Sequence, residues 1–386
     1  MTRLKRIAAY LLAGSLALSC VYPYEAELDS IAGALVIEGD LILGDEVQVR
    51  VSRAQSLDGT YYSIGMNTVP AKVWAEDDQG NTYPDVAGVI DLREAPGDRS
   101  YRLHVADLDG GKNYVSSWRE PQLAPVIDEV RYDVESIENP TSVSRPRCKA
   151  RLTMHAQEGA SRYFRWDYEQ EWQYHANYAI LLDYNPPSDS FSPIYDDSNY
   201  WCWSKSRSSE TQIAVAIGDE RNRIQDHVFL EFYAGAGALF QKRYGLHVIA
   251  RGISEECYQY LHTLQLNSNT SGDLFSPNPS ELRGNISCEE DPDELVLGFI
   301  EVSRTSAVWS FLPDGPGVYR DPGQGSYDGL KEFTTPGDRS LHYGNGWRPI
   351  DWVESETGSY VGWAPPSWCD CRFAGGTNEK PSYWED

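Results

Sequence analysis

The chain has 386 residues, enough for two domains, and a formal net charge of −25 from 58 acidic against 33 basic residues. Phosphate-backbone binding draws its affinity from Lys and Arg, so this balance excludes a nucleic-acid partner and disfavours docking of the globule on an anionic bilayer.

In chain order, the first element is an export signal. Arg3, Lys5 and Arg6 form a short basic region, and Ile7 to Leu18 follows as an almost wholly apolar run. That run is too short to span a bilayer core of about 30 Å, which takes about 20 residues. It ends in Leu16-Ala17-Leu18-Ser19-Cys20, which resembles a lipobox. The expectation is a lipoprotein signal over 1–19, cleavage before Cys20, and acylation of that thiol. Each buried methylene of an anchor contributes about 0.8 kcal/mol, so two or three acyl chains hold the protein to its membrane. Residues 20–33 lack periodicity and read as a lipidated tether.

From Ala34 the pattern is β. Leu35 and Ile37, then Val47, Val49 and Val51, then Val69 to Ala75, then Tyr101, Leu103 and Val105, then Tyr114 to Trp118 alternate at period two. Asp77-Asp78-Gln79-Gly80-Asn81 and Asp109-Gly110-Gly111 punctuate them as turns. Asp77 to Asn81 lacks the distal Glu of a calcium loop. These half-buried strands predict an immunoglobulin-like β-sandwich over 34–125. A pause at Pro121–Pro125 marks the boundary to a second, larger β-rich domain over 126–386. Its clearest strand face runs from Trp172 to Leu182, and a polar loop spans 184–200, within an aromatic insertion over 184–203. One helix is predicted, capped by Ser254, with Glu255 and Glu256 at its positive end and Tyr258, Leu261 and Leu264 on one face. After Ser310 the chain is rich in Gly, Pro, Trp and Tyr and short of regular pattern. The fold class is therefore mostly β with one or few short helices.

Six cysteines remain beside Cys20: Cys148, Cys202, Cys257, Cys288, Cys369 and Cys371. In an exported chain an even number points to disulfides, and Cys148 with Cys202 is the pairing we expect. Cys369-Asp370-Cys371 lacks the two further ligands of a closed zinc site. Neither a metal nor a cofactor is expected. There is no His-Glu-x-x-His, Gly-x-Ser-x-Gly or phosphate-binding Gly-rich loop. Asp351, Glu354 and Glu356 are the carboxylates a glycosidase reading would use, but close carboxylates arise by chance in so acidic a chain. Aromatic side chains crowd Tyr163 to Tyr178, where sheet packing accounts for them. Tyr200, Trp201 and Trp203 follow beside the polar loop and are the candidate binding aromatics.

The closing run Cys369-Asp370-Cys371-Arg372, Gly375-Gly376-Thr377-Asn378, Lys380-Pro381 and Trp384 resembles the end signature of domain-of-unknown-function family 4249. Asn267 to Ile286 leading into Val296-Leu297-Gly298-Phe299, and Leu35-Val36-Ile37-Glu38-Gly39 near the start, are similar too. The resemblance implies a Bacteroidota outer-membrane lipoprotein encoded beside a TonB-dependent receptor. It implies a non-enzymatic accessory of that receptor, capturing its ligand or acting as a lid, with the cell surface rather than the periplasmic face as its location. A free-standing glycan- or protein-binding adhesin is the alternative, and an extracytoplasmic glycoside hydrolase the third reading. Physically the closing motif reads as a latch: Gly375-Gly376 permits positive φ, Thr377-Asn378 can bond the backbone, and Trp384 can anchor the tail.

Intact mass spectrometry of the protein taken from its native membrane is expected to find an acylated Cys20 at the N-terminus. Cys20→Ser should release the protein from the membrane fraction. An unmodified N-terminus elsewhere would remove the anchor.

Overall fold

The computed structural model describes residues 33–384 except 55–67, 136–144, 209–210, 218–221, 236, 270–282, 316–317, 320, 324 and 357. Cys20 and the signal sequence lie outside the described residues. The fold is mostly β, as the alternation predicts. In the first unit, strands Ala71–Asp77 and Tyr101–Asp107 run antiparallel at the centre of a seven-stranded sheet. Period two sends Val73, Ala75, Tyr101, Leu103 and Val105 into one core with Leu35, Ile37 and Ile90.

Both central strands end in a buried aspartate that organises the turn beyond it. Asp77 accepts hydrogen bonds from the backbone N–H of Gln79 (3.1 Å) and Asn81 (2.9 Å) and pairs with Arg99 at 2.5 Å. Burial opposes the charge, but these donors prevail and hold the carboxyl well below its usual range. Asp107 accepts from Asp109 and Gly110 N–H at 2.9 and 2.8 Å and pairs with Arg53 at 2.8 Å. A Cβ on Gly110 would stand 2.5 Å from the Asp107 carboxylate, so glycine is required there. Both segments are turns, as expected from their composition.

The order of units differs from the linear expectation. Residues placed in the second domain by sequence return to complete the first. Ile286–Cys288 adds an antiparallel edge strand to Asn113–Ser116, while Val296–Leu297 and Val302–Ser303 pair in parallel with Leu35–Glu38 and Leu41–Ile42. Cys288, Val296, Ile300 and Val302 are buried in the first core. Parallel pairing needs a long crossover, and the whole second sheet system supplies it, so no local pattern announces it.

The second unit packs two sheets. One runs Trp201–Arg207, Tyr163–His175, Arg243–Ile253 and Thr305–Phe311, with Gln212–Val215 also paired to Tyr163–His175; the other runs Val126–Glu135, Arg147–His155 and Arg223–Tyr233. Cys148, Ala150, Leu152 and Met154 alternate inward against Trp166, Leu246, Val248 and Ala250. The predicted strand face from Trp172 to Leu182 is broken: the 163–175 strand ends at His175, and Ile180–Asn185 begins a separate hairpin with Ser190–Asp196. That hairpin occupies most of the predicted 184–200 loop. Its turn residue Asp189 accepts from Tyr184 Oη at 2.8 Å and pairs with Arg339 at 2.5 Å.

Helix Glu255–Asn269 starts where predicted, with Ser254 Oγ accepting from Cys257 N–H at 3.1 Å. Cys257, Tyr258 and Leu261 pack on Tyr163 and Ile253, but Leu264 is 44% exposed, so the buried face is shorter than predicted. The tail region is also more regular than its composition suggests. Strands Lys331–Glu332, Gly358–Ala364 and Arg348–Ser355 form a sheet, and Thr335 caps helix Pro336–Gly344. The run Val361 to Ala364 is buried on both faces and shows no alternation, which hid it from period-two reading.

A charged cluster joins the two units. Asp40, between the first two strands, accepts from Arg165 at 2.9 Å and faces Arg251 at 3.7 Å; Arg251 also pairs with Asp167 at 2.6 Å. Beside it, buried Glu301 accepts from Ser254 Oγ at 2.5 Å and pairs with Arg119 at 3.5 Å. Removing one partner of such a cluster leaves uncompensated charge out of water. Asp40→Ala is expected to cost about 3–5 kcal/mol in urea unfolding, against less than about 0.5 kcal/mol for the surface change Asp109→Ala. Equal midpoints for the two variants would contradict this role for the cluster.

Candidate functional site

The site is built around the tail. Cys202 lies on the Trp201–Arg207 strand and bonds Cys371, with Cα atoms 5.7 Å apart. This corrects the expected Cys148–Cys202 pairing, because Cys148 is held between the two sheets of the second unit. Cys148, Cys257, Cys288 and Cys369 are buried free thiols in four different cores. Burial pushes the Cys148 thiol up to about 11 and the Cys369 thiol up to about 12, so both stay protonated at neutral pH. Cys369-Asp370-Cys371 cannot chelate as a pair, since Cys371 is oxidised and the Asp370 carboxylate binds Arg372 at 2.6 Å.

Beyond the disulfide the tail is sewn to the strand edge. Tyr174 Oη donates to the Cys371 carbonyl at 2.9 Å and accepts from Gly376 N–H at 3.0 Å. Trp203 and Thr377 exchange backbone hydrogen bonds of 2.8 and 2.9 Å. Gly375 has φ +90°, and a Cβ on Gly376 would lie 2.4 Å from Tyr174 Oη and 2.7 Å from the Trp203 carbonyl. Both glycines are therefore dictated by conformation and close approach. Asn378 donates to the Ser198 carbonyl at 3.1 Å. Tyr383 stacks on Trp309 at 4.3 Å, and Trp384 meets Phe311 edge-on at 5.1 Å. Tyr383 Oη donates to Glu171 at 2.6 Å; burial pushes that carboxyl up, against the opposing effect of this donor. The closing motif acts as a latch through these contacts.

Between the latched tail, the strand edge and the 311–314 segment lies an open cleft of about 770 Å³. Period two puts Trp201 and Trp203 on one face of their strand and Cys202 on the other, and both indoles line the cleft. Trp201 is half-buried, whereas Trp203 is 7% exposed and forms the floor rather than a surface contact. Tyr200 does not line the cleft. It stands behind Trp201, stacked on buried His175 at 4.8 Å with Trp201 edge-on at 5.2 Å. His175 is itself pinned, its Nδ1 facing the Ala176 carbonyl at 2.5 Å and its Nε2 the Asp321 carboxylate at 3.0 Å. Of the three candidate aromatics, Trp201 lines the cleft half-buried, Trp203 lines it buried, and Tyr200 packs against Trp201 outside the lining.

The remaining lining was not predicted. Lys242, Arg243 and Lys380 bring three cations to the cleft, with Asp314 and Gln173 as acceptors and Phe311 as an apolar wall. The Arg243 guanidinium lies 4.4 Å over the Phe311 ring, a cation–π contact that fixes its orientation. Arg243 Nε and Trp203 Nε1 are buried without a hydrogen-bond partner among the described residues. The one hint in the sequence was Lys242-Arg243, a doublet of cations in an acidic chain. Asp351, Glu354 and Glu356 do not line the cleft; Asp351, on the tail sheet, accepts from Tyr327 Oη at 2.9 Å.

The family model described as Domain of unknown function (DUF4249) matches residues 21–307, and the chain belongs to that family. The matched span holds Trp201, Trp203, Lys242 and Arg243 but stops short of Phe311 and the whole closing motif. No curated protein matches the chain.

Cys371→Ser is expected to destabilise the protein by about 3–5 kcal/mol, the range for a long closed loop, and to expose the tail. Trypsin should then cut at Arg372 in the variant while sparing the oxidised wild type. Identical digestion of both would show that the disulfide does not hold the latch.

Proposed function

We propose that this member of the DUF4249 family is a non-enzymatic, lipid-anchored outer-membrane protein that captures a ligand in the Trp201 cleft and serves a TonB-dependent receptor. The observation that carries the reading is the cleft itself. It is large enough for a small-molecule ligand, which typically occupies about 300–1,000 Å³, and it combines an indole face with a few oriented polar groups. Its walls are rigid where a binding site needs them rigid, because the disulfide and the Tyr174, Thr377 and Tyr383 contacts fix the tail that forms one side. Anchoring at Cys20 and service to a receptor rest on the signal sequence and the family resemblance. A free-standing adhesin would use the same cleft and differs only in needing no receptor.

Affinity purification of the detergent-solubilised protein at native expression is expected to recover a barrel receptor together with it. Recovery of the lipoprotein alone would turn the reading towards the adhesin. Trp201→Ala should leave the fold and receptor recovery unchanged while lowering ligand affinity by about 1–3 kcal/mol, as for an interface anchor. Unaltered ligand affinity in that variant would take the cleft out of the account.

A further inference from the structure

We propose that the C-terminal latch is proton-linked, its tail seating more firmly on the sheet when the Glu171 carboxyl is neutral. The groups concerned share one face of the sheet that carries the cleft. Period two along Tyr163–His175 puts Glu169, Glu171 and Gln173 on that face. Across the ladders, Lys205 and Gly245 stand opposite Glu171, and His247 stands opposite Glu169. One strand further, Trp309 lies opposite His247 and Phe311 opposite Gly245. Phe311 covers Gly245, where a Cβ would lie 2.9 Å from its ring. The tail crosses this face. Tyr383 stacks on Trp309 at 4.3 Å, Trp384 meets Phe311 edge-on at 5.1 Å, and Tyr383 Oη donates to Glu171 at 2.6 Å.

Glu171 is 3% exposed. A carboxylate so placed loses its hydration, and Glu169 on the same face adds like charge; the Tyr383 hydroxyl and Lys205 favour the ionised form. Burial is the largest of these effects and holds the carboxyl above its ordinary value. Lifting the tail returns the group to water and to the ordinary range. The seated state therefore keeps a proton at a pH where the released state has lost it. By linkage, that contribution to seating is complete below the ordinary carboxylate range and fades as pH rises through the raised value. Tyr383 stays a donor throughout, since burial and Glu171 push its phenol further up. His247 acts in the opposite sense. Burial holds its imidazole below the ordinary value, against the pull of Glu169, so its protonation in acid works against the packed state. Cys371 ties the start of the tail at either pH, and the part that responds includes Lys380 in the cleft lining. A neutral Glu171 thus firms one wall of the cleft.

The test is hydrogen exchange on the full-length, oxidised protein in detergent, read at the amides from Gly376 to Trp384 as protection relative to the intrinsic rate at each pH. Glu171→Gln carries the neutral form at every pH. Its ratio to wild type cancels the titration of His247 and of every other group. Tail protection in Glu171→Gln divided by that in wild type is expected to fall severalfold between about pH 8 and about pH 5. A ratio that stays constant, or that rises as pH falls, would overturn the proton link. A second readout does not depend on that variant. With carbon-13-labelled glutamate, the Glu171 carboxyl is expected to titrate at lower pH in Tyr383→Ala than in wild type, because the tail no longer covers it. A titration that is unchanged or moves upward would likewise overturn the link. Both measurements use no ligand, so their failure leaves capture at the Trp201 cleft to be judged on its own experiment.

Discussion

The Asp40 carboxylate, set between the guanidiniums of Arg165 and Arg251, is the contact on which the arrangement of this protein turns. Asp40 belongs to the first unit and both arginines to the central strands of the second. Charges this poorly solvated are costly to bring out of water and are tolerated only when paired. A shifted docking of the two units would strand arginines against apolar surface. The cluster therefore acts less as a source of stability than as a selector of one geometry. Glu301 reinforces it from the returning segment, binding Ser254 at the helix cap and Arg119 near the junction.

One strand transmits that geometry to the site. Tyr163–His175 carries Arg165 and Asp167 near its beginning and Trp172, Gln173, Tyr174 and His175 at its end. It pairs with Arg243–Ile253 from Tyr163 to Gln173, so the spacing between junction and cleft is set by continuous backbone hydrogen bonding. Arg243 opens the neighbouring strand and Arg251 lies near its close. Each strand thus contributes to both the buried cluster and the cleft lining: Arg165 and Asp167 with Gln173, and Arg251 with Arg243. The same ladder that aligns the units aligns the site.

The aromatic surplus serves both packing and surface. Trp166, Tyr244 and Trp363 are fully buried and fill cores. Phe311 and Tyr383 stack with Trp309, and Trp384 meets Phe311 edge-on, which seats the tail. Trp201 alone of the trio combines partial exposure with a place in the cleft lining, and His175 and Tyr200 pack against it. Large rings give contact area at little entropic cost, which is why one residue type can furnish a core, a latch and a wall.

Local chemistry was legible without coordinates. Alternation located the central strands of the first unit, Asp-Gly clusters located their turns, and Ser254 with two glutamates located the helix start, because each depends on residues within a few positions of one another. The Gly375-Gly376 latch was legible for the same reason. Tertiary structure alone decided that Cys202 meets Cys371 rather than Cys148, that residues 286–303 rejoin the first sheet, and that Lys242, Arg243, Phe311 and Lys380 share a cleft. Those outcomes bring together residues far apart in the chain, with no periodic signature. They are set by how sheets dock and which buried charges find partners, and a one-dimensional pattern carries no record of that.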